Sequence, residues 1–568
     1  MALPSPHNLS RFEESSKVWT PNMNTKRMQG LLVLLVLGLL GARPAYAGSF
    51  NTPIQHVIVI VQENRTPDNL FGADTALIRA GAHIVPFGNC HGKNITLTPW
   101  QLDACFNPDH AHKPSWLDTY DEGAMDGACD VTTRVTSCNG KSLPACPPGT
   151  RQDFCPEYTY VSNSTGLLNP YFQLAAQYGF ANYMFQTNQG PSFPAHQFLF
   201  SGTSAPVEYP RAFFDWFSAE NMGSDTTNYG CVGREDAVIK EVDPATGEES
   251  NGYTPPYDPP ANAAGFPCYE HNTMADVLES AGISWRYYAV SQGSLFTAPV
   301  AIHHMCQENN GNCTGPDWPP DGTKIVLDTG KVLTDLGVNG SGSANCQLQQ
   351  VSWVIPDGHW SDHPGTVGHD GGPSWVSAIV NAVGGYDNSG AKLPVQCNYW
   401  ANTVVLITWD DWGGFYDDVN PITTIGAGNP GYPGGRGNGS QYVYGFRVPL
   451  LVVSPYAKNG YISGPATNPT CPNFYCHDFG SILKFIEYVF GKNGHSLGPI
   501  GPSEWPYADS FARDLGAPPK DYSLYDFFNF SGGPRTFGPI TGAKYSTTCF
   551  LNPRTCFADF QPASPDSD

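Results

Sequence analysis

Apolar and polar positions along this chain fall into two alternating patterns. Residues 56–61, His-Val-Ile-Val-Ile-Val, form an unbroken run rich in β-branched side chains. A run without polar alternation suits a parallel strand covered on both faces. Similar apolar runs at 283–290, 351–356, 402–409 and 445–455 predict further strands. Between them, apolar side chains recur every three or four residues over 167–180, 194–202, 273–281, 374–383 and 479–490, which predicts helices. Strands separated by helices predict an α/β fold, a central mostly parallel β-sheet flanked by helices.

The polar residues at the strand ends carry the chemistry. Ligands of open α/β sheets sit beyond the carboxyl ends of the strands. The first run stops in Glu63, Asn64 and Arg65, and the run at 402–409 stops in Asp410 and Asp411. Two strands that end in hard oxygen donors can hold a divalent cation, which would also relieve the repulsion between adjacent carboxylates. A solvated strand-to-loop turn is the plainer reading of each segment alone.

Gly190 and Pro191 predict a tight turn that presents Ser192 just before the helix at 194–202. A serine there serves either as an N-cap or as a nucleophile at the positive end of the helix dipole. Histidines supply the remaining candidates. His110 and His112 lie in an Asp-His-Ala-His run ahead of Met125-Asp126-Gly127, His303 and His304 are adjacent in a loop, and His363 follows the strand at 351–356. Each is also readable as an ordinary loop residue. His477 and Asp478 read as the cap of the helix at 479–490, a structural role.

Charge and cysteines narrow the partners and the compartment. The 568 residues carry 29 Lys and Arg against 51 Asp and Glu, a formal charge of -22, which argues against a nucleic-acid partner. Lys26 and Arg27, the apolar stretch 31–40 and Ala45-Tyr46-Ala47 together predict a signal peptide over 1–47, with Met23 and Met28 as alternative starts. Without a twin arginine, the general secretory route to a secreted or periplasmic location is expected. All 16 cysteines lie after that segment, which predicts up to eight disulfides, while finger-like zinc spacing is absent. Residues 48–568 read as a single domain with long insertions near 85–160 and 205–270, the first stapled by disulfides.

Several segments in one order resemble the bacterial and fungal phosphoesterase family, which holds phospholipases C and related acid phosphatases within the alkaline-phosphatase-like superfamily. They are QENRTPDNLFG from Gln62, DHAH and MDG, NQGPSFPAH around Ser192, HH at His303, SDHP at Ser361, TWDDWGGFYDDV from Thr408, FRVPLLVVSPYA from Phe446 and DFFNFSGGPRTFGPI near the end. The resemblance spans roughly residues 54–540 and implies an alkaline-phosphatase-like fold. It implies that Glu63, Asn64, Asp410, Asp411 and the Ser192 oxygen bind a divalent metal, with Ca, Zn, Mn and Mg all open. It implies that Ser192 is the nucleophile and that His303, His304, His363 and one of His110 and His112, with His112 preferred, surround the phosphoryl group. The chain departs from the family pattern at Pro67. The substrate it implies is a phospholipid, cleaved as by a phospholipase C with transient contact to a membrane surface; a phosphate monoester, as for an acid phosphatase, is the alternative. A catalytically inactive binding protein of the same fold is the reading from another class.

Overall fold

In the computed structural model the eight strands of the central sheet are β1 (His56–Gln62), β2 (Gly179–Ala181), β3 (Trp285–Tyr288), β4 (Ile325–Val326), β5 (Val351–Val354), β6 (Thr403–Trp409), β7 (Leu450–Val453) and β8 (Tyr461–Ser463). Their spatial order is β4-β3-β5-β1-β6-β7-β2-β8. All pairings are parallel except those of β7 with β6 and with β2. The sheet is therefore mixed but mostly parallel, as the apolar runs predict. The structure describes residues 52–564 apart from 137, 139, 151, 207–216, 222–227, 235–236, 243–248, 251–265, 319–321, 339–345, 422–443, 466–475, 493–495, 502–506, 512–523 and 559. The signal-peptide expectation for 1–47 lies outside the described residues, and the described residues fall in one compact unit.

The pairing of β1 with β6 positions the site. Seven residue pairs run in parallel register from His56 opposite Thr403 to Gln62 opposite Trp409. Both strands thus end at the same level, and the next residues, Glu63 and Asp410, emerge side by side. Val57 to Gln62 and all of β6 are buried, which is why neither strand shows polar alternation.

Six helices matter here: α1 (Pro67–Phe71), α2 (Asn169–Gln177), α3 (Ser192–Ser201), α4 (Met274–Ala281), α5 (Gly372–Val383) and α6 (Phe479–Phe490). Every residue of α3, α5 and α6 is buried. The strands β4 and β8 have no counterpart in the sequence reading, because two or three residues are too few to show a period, and the helix expected over 167–180 ends at Gln177, with Gly179 and Phe180 opening β2 instead.

Two expectations need correction at helix starts. Helix α3 begins two residues before the predicted 194, so Ser192 is its first residue and Pro191 takes the cap position. Serine is not needed as a cap, since the Phe193 N–H donates to Asn221 Oδ1 at 2.9 Å. At α6, Asp478 caps the helix by accepting from Ser481 N at 2.8 Å. His477 does not share that role; its Nε2 lies 2.9 Å from Ser463 Oγ.

Among the described residues, seven disulfides tie the loops: Cys90–Cys129, Cys105–Cys138, Cys146–Cys155, Cys231–Cys268, Cys306–Cys313, Cys346–Cys397 and Cys549–Cys556. Cys471 lies outside the described residues. Three bridges fall within the first insertion, a stretch with little apolar core of its own, where closing loops of the unfolded chain stabilises most. The second insertion carries a small antiparallel sheet of Phe217–Ser218, Glu241–Val242 and Glu249–Ser250.

Candidate active site

The ends of β1 and β6 are stitched together by backbone donors. Asp410 N donates to Gln62 O at 3.0 Å, and Asn64 N and Asp411 N both donate to Asp410 Oδ1, at 3.0 and 2.7 Å. Gly413 N donates to Asp411 Oδ1 at 2.7 Å and Arg65 N to Asp411 O at 3.0 Å. Each carboxylate is thus held through one oxygen, which fixes the direction of the other. Asn64 adopts a left-handed conformation with φ 59°, tolerated by asparagine. Gly413, at φ 62°, crosses so close that a Cβ there would lie 2.5 Å from the Asn64 carbonyl oxygen.

Ser192 reaches this floor from the start of α3. Its hydroxyl donates to Asp411 Oδ2 at 3.1 Å. The turn before it is held rigid, with Gln186 Nε2 donating to Asn188 O and Gly190 O and Asn188 Nδ2 donating to Gly190 O, at 2.8–3.1 Å. Gly190 is required there, because a Cβ would meet Ala219 O at 1.8 Å. The side chains of Glu63, Asn64, Asp410, Asp411 and Ser192 therefore converge, and all five residues are fully buried.

One residue joins them that the sequence reading left without a role. His196 Nε2 lies 3.5 Å from Glu63 Oε1 and 3.7 Å from Asp410 Oδ2. The available signal was its spacing, since a residue four positions after Ser192 lies on the same face of the helix.

The electrostatics of the group favour a cation. Burial, and then the neighbouring Asp410, push the Asp411 carboxyl up to about 8. Burial opposes ionisation of Asp410 too, but the contacts of His196 and Glu63 hold it well below the usual carboxylate range. Asn64 Oδ1 and Asp410 Oδ2 are buried without a hydrogen-bond partner, an arrangement that is costly unless something else satisfies them. Oxygen donors from Glu63, Asn64, Asp410, Asp411 and Ser192 fit a divalent metal, and Glu63, His196 and Asp410 alone bring ligand atoms within 4.8 Å of one another.

Of the histidine pair, His110 touches a metal-ligand candidate. Its Nε2 takes a hydrogen bond from Asn64 Nδ2 at 3.0 Å, while its Nδ1 faces Pro108 O at 2.9 Å. His112, the preferred residue on sequence grounds, instead places Nδ1 2.7 Å from Gln189 O and stacks on Trp116. His363 is buried with its ring 6.2 Å from that of His110. Its Nδ1 is oriented by Pro364 O at 2.6 Å. The adjacent Asp362 is bonded instead by Tyr171 Oη at 2.8 Å and Trp409 Nε1 at 3.0 Å.

His303 and His304 are half-exposed. His304 Nδ1 is 2.7 Å from Glu270 Oε1 and its Nε2 3.2 Å from Asp276 Oδ1, while His303 Nδ1 is 3.5 Å from Glu270 Oε2. Burial opposes the charged form of His304, yet its two carboxylate partners raise it to about 10. Arg65 is structural, donating to Asp362 O, Asn69 Oδ1 and Leu102 O.

A cavity of about 580 Å³ adjoins the group, bounded by Asp109, His110, Pro191, Glu220, Asn221 and Arg134 among others. Both insertions contribute to its wall. No large aliphatic or aromatic side chain is among its described lining residues.

Comparison with known proteins places the chain in a family. A model of the phosphoesterase family matches residues 54–492. The chain is 22% identical over 475 residues to a non-hemolytic phospholipase C of Pseudomonas aeruginosa, covering 78% of this chain and 55% of that protein. It is 24% identical over 452 residues to phospholipase C A of Mycobacterium tuberculosis, covering 78% of this chain and 73% of the other. The chain thus spans little more than half the length of the Pseudomonas relative. Among solved structures, an alkaline phosphatase superfamily protein from Vibrio parahaemolyticus aligns over 85% of this chain and 78% of its own, at 9% identity and a TM-score of 0.29, too low to carry an argument. The family match takes in β1, α3 and β6, the three elements that bring Glu63, Ser192 and Asp410 together, and the chain belongs to the phosphoesterase family.

Proposed function

We propose that this protein is an exported, metal-dependent phosphoesterase that cleaves phosphate esters through a phosphoseryl intermediate on Ser192, with phospholipase C-type action on phosphodiesters as the primary activity. The observation that carries this reading is the Ser192 hydroxyl donating to Asp411 Oδ2 at 3.1 Å within a buried group of oxygen donors. A binding protein that had lost catalysis has no use for a buried hydroxyl in that position.

Glu63, Asn64, Asp410, Asp411 and the Ser192 oxygen would hold the metal. When bound, it supplies positive charge beside the nucleophile and the equatorial phosphoryl oxygens. Ser192 Oγ attacks phosphorus in line as the P–O bond to the alcohol breaks, and Asp411 Oδ2 is the atom in place to take the hydroxyl proton. The departing alkoxide takes a proton from a histidine, for which His363 is the first candidate, with Nδ1 engaged by Pro364 O. Water then cleaves the phosphoseryl ester and restores the serine. His110 holds Asn64 in place. His112 and His303 are proposed to bind non-bridging oxygens; His304, both of whose ring nitrogens face the carboxylates of Glu270 and Asp276, would hold that loop in place beside them.

The cavity beside His110 and Pro191 suits a polar group of the substrate, such as the headgroup of a phospholipid. The polar groups in its wall, Asp109, Arg134, Glu220 and Asn221, set among Pro108, Pro114 and Pro191, equally suit the second reading, an acid phosphatase acting on small monoesters. Phe87, Leu117, Val135 and Phe154 of the first insertion are exposed apolar side chains, available for transient contact with a lipid surface. The disulfides accord with an oxidising compartment.

Products from phosphatidylcholine and from an aryl monophosphate, measured side by side with and without chelator, separate the two readings. Acid quench during turnover is expected to leave phosphate on Ser192. Ser192→Ala is expected to lower turnover at least about 10³-fold while leaving the fold intact. Label on another residue would overturn the nucleophile assignment.

A further inference from the structure

Resting on the metal-dependent reading above, we infer that His196 is a nitrogen ligand of the metal and that the centre selects a transition metal of the zinc or ferrous-iron kind over calcium or magnesium. His196 is 1% exposed, in the second turn of α3, and neither ring nitrogen has a hydrogen-bond partner. Its Nε2 points between Glu63 Oε1 at 3.5 Å and Asp410 Oδ2 at 3.7 Å. Those separations are long for a charge-assisted hydrogen bond, which closes to about 2.7–2.9 Å. They are close to the distance between two ligands of one metal, since atoms each about 2.1 Å from an ion lie about 3.0–3.5 Å apart.

The helix explains the pairing. Ser192 and His196 are one turn apart on α3, so a single rigid element delivers a hydroxyl and an imidazole to the same side of the carboxylates. Phe296 packs its ring edge-to-face with the imidazole at 5.1 Å, which restricts its rotation. Calcium and magnesium take oxygen ligands, whereas imidazole suits zinc, iron, copper and nickel. A set of oxygens alone would leave the choice of ion to size and charge. One nitrogen donor shifts it toward borderline metals.

Calorimetric titration of the chelator-stripped whole protein with Zn²⁺ and with Ca²⁺ tests the assignment. Wild type is expected to prefer Zn²⁺. His196→Gln is expected to lose about 100-fold in Zn²⁺ affinity, with Ca²⁺ affinity unchanged within about threefold. His196→Cys, which restores a borderline-soft donor, is expected to recover Zn²⁺ binding. Unchanged Zn²⁺ affinity in His196→Gln, with loss in Glu63→Gln, would overturn the histidine ligand and leave the metal reading standing. Wild-type Zn²⁺ affinity in both variants would overturn both. A second measurement does not depend on how the variants fold: pulsed electron paramagnetic resonance of the wild-type protein loaded with Cu²⁺ is expected to show a directly bound ¹⁴N. Its absence would overturn the proposal.

Discussion

Two acidic clusters lie a few residues apart on the same two segments, and they are neutralised in different ways. The first is Glu63, Asp410 and Asp411. The second, further along both segments, is Asp68, Asp417 and Asp418, also packed closely enough to hold an ion. In the second a guanidinium fills that space. Arg447 Nε lies 2.9–3.0 Å from both Asp417 oxygens, and its Nη2 lies 3.1 Å from Asp418 Oδ1 and 3.3 Å from Asp68 Oδ2. His83 Nε2 adds a contact to Asp418 at 2.9 Å. Burial opposes charge on the guanidinium, but the three carboxylates hold Arg447 above its ordinary range. In the first cluster the side chain facing Glu63 and Asp410 is the imidazole of His196, 3.5 and 3.7 Å away. A covalently attached, permanent cation makes the second cluster a clamp that pins the 417–418 loop to α1. Among the described residues the first cluster has no such arginine, and on the proposed reading an exchangeable metal would take that place.

The comparison breaks most sharply at Arg447. Arg447→Met leaves two buried carboxylates, Asp68 and Asp417, and the partly exposed Asp418 without the guanidinium, and is expected to cost about 3–5 kcal/mol of stability. Urea unfolding should give that loss equally with saturating metal and with chelator. A loss below about 1 kcal/mol would mean that the cluster tolerates its own charge.

A paired substitution separates the clusters by metal dependence. Asp411→Asn is expected to weaken metal binding about 100-fold, near 2.7 kcal/mol, and to lower activity with it, while the metal-free protein keeps its stability, since burial and Asp410 already hold a proton on Asp411 near pH 7. Asp417→Asn is expected to destabilise the protein whether or not metal is present. Metal content and melting temperature of the two variants, each with and without chelator, decide the matter. Unchanged occupancy in Asp411→Asn with lost activity would make Asp411 an acid–base group alone.

Asp362 gives a third, weaker case, a buried carboxylate whose direct partners are the neutral donors Tyr171 and Trp409. Arg65 binds its backbone carbonyl. Burial therefore prevails over the attraction of Arg65, and the carboxyl is pushed up to about 6. The folded protein keeps a proton there that the unfolded chain releases near pH 4, so this group favours folding at low pH and its contribution is lost as pH rises from about 4 to about 6. Asp362→Asn is expected to remove that slope, worth on the order of 2 kcal/mol. Unfolding free energies at pH 4, 5 and 6 for wild type and variant measure it, and parallel profiles would place the charge elsewhere.

Local pattern made much of the scaffold legible. The apolar run at 56–61 matches β1 to within one residue and the run at 402–409 matches β6, because burial on both faces writes itself into consecutive side chains. The α6 boundaries 479 and 490 are those predicted. Pattern was less informative where structure is short or irregular. At 445–455 only Leu450–Val453 is strand, and the backbone before it serves Arg447 and the turn at Gly445, where a Cβ would strike Asn188 O.

What the amino-acid order determined by itself was the set of elements and the chemistry at their ends: oxygen donors after two buried runs, and a serine in a Gly-Pro turn at a helix start. Each is a statement about neighbours in the chain, where spacing and side-chain type suffice. The tertiary structure alone decided the long-range pairings. It set Ser192 on Asp411, 219 residues away, Asn64 on His110 rather than His112, Asn221 in place of a serine cap, Cys346 with Cys397, and Arg447 in one acidic cluster but not the other. Those choices follow from the register of β1 on β6 and the packing of α3 against them, which many weak contacts fix together and no single segment encodes.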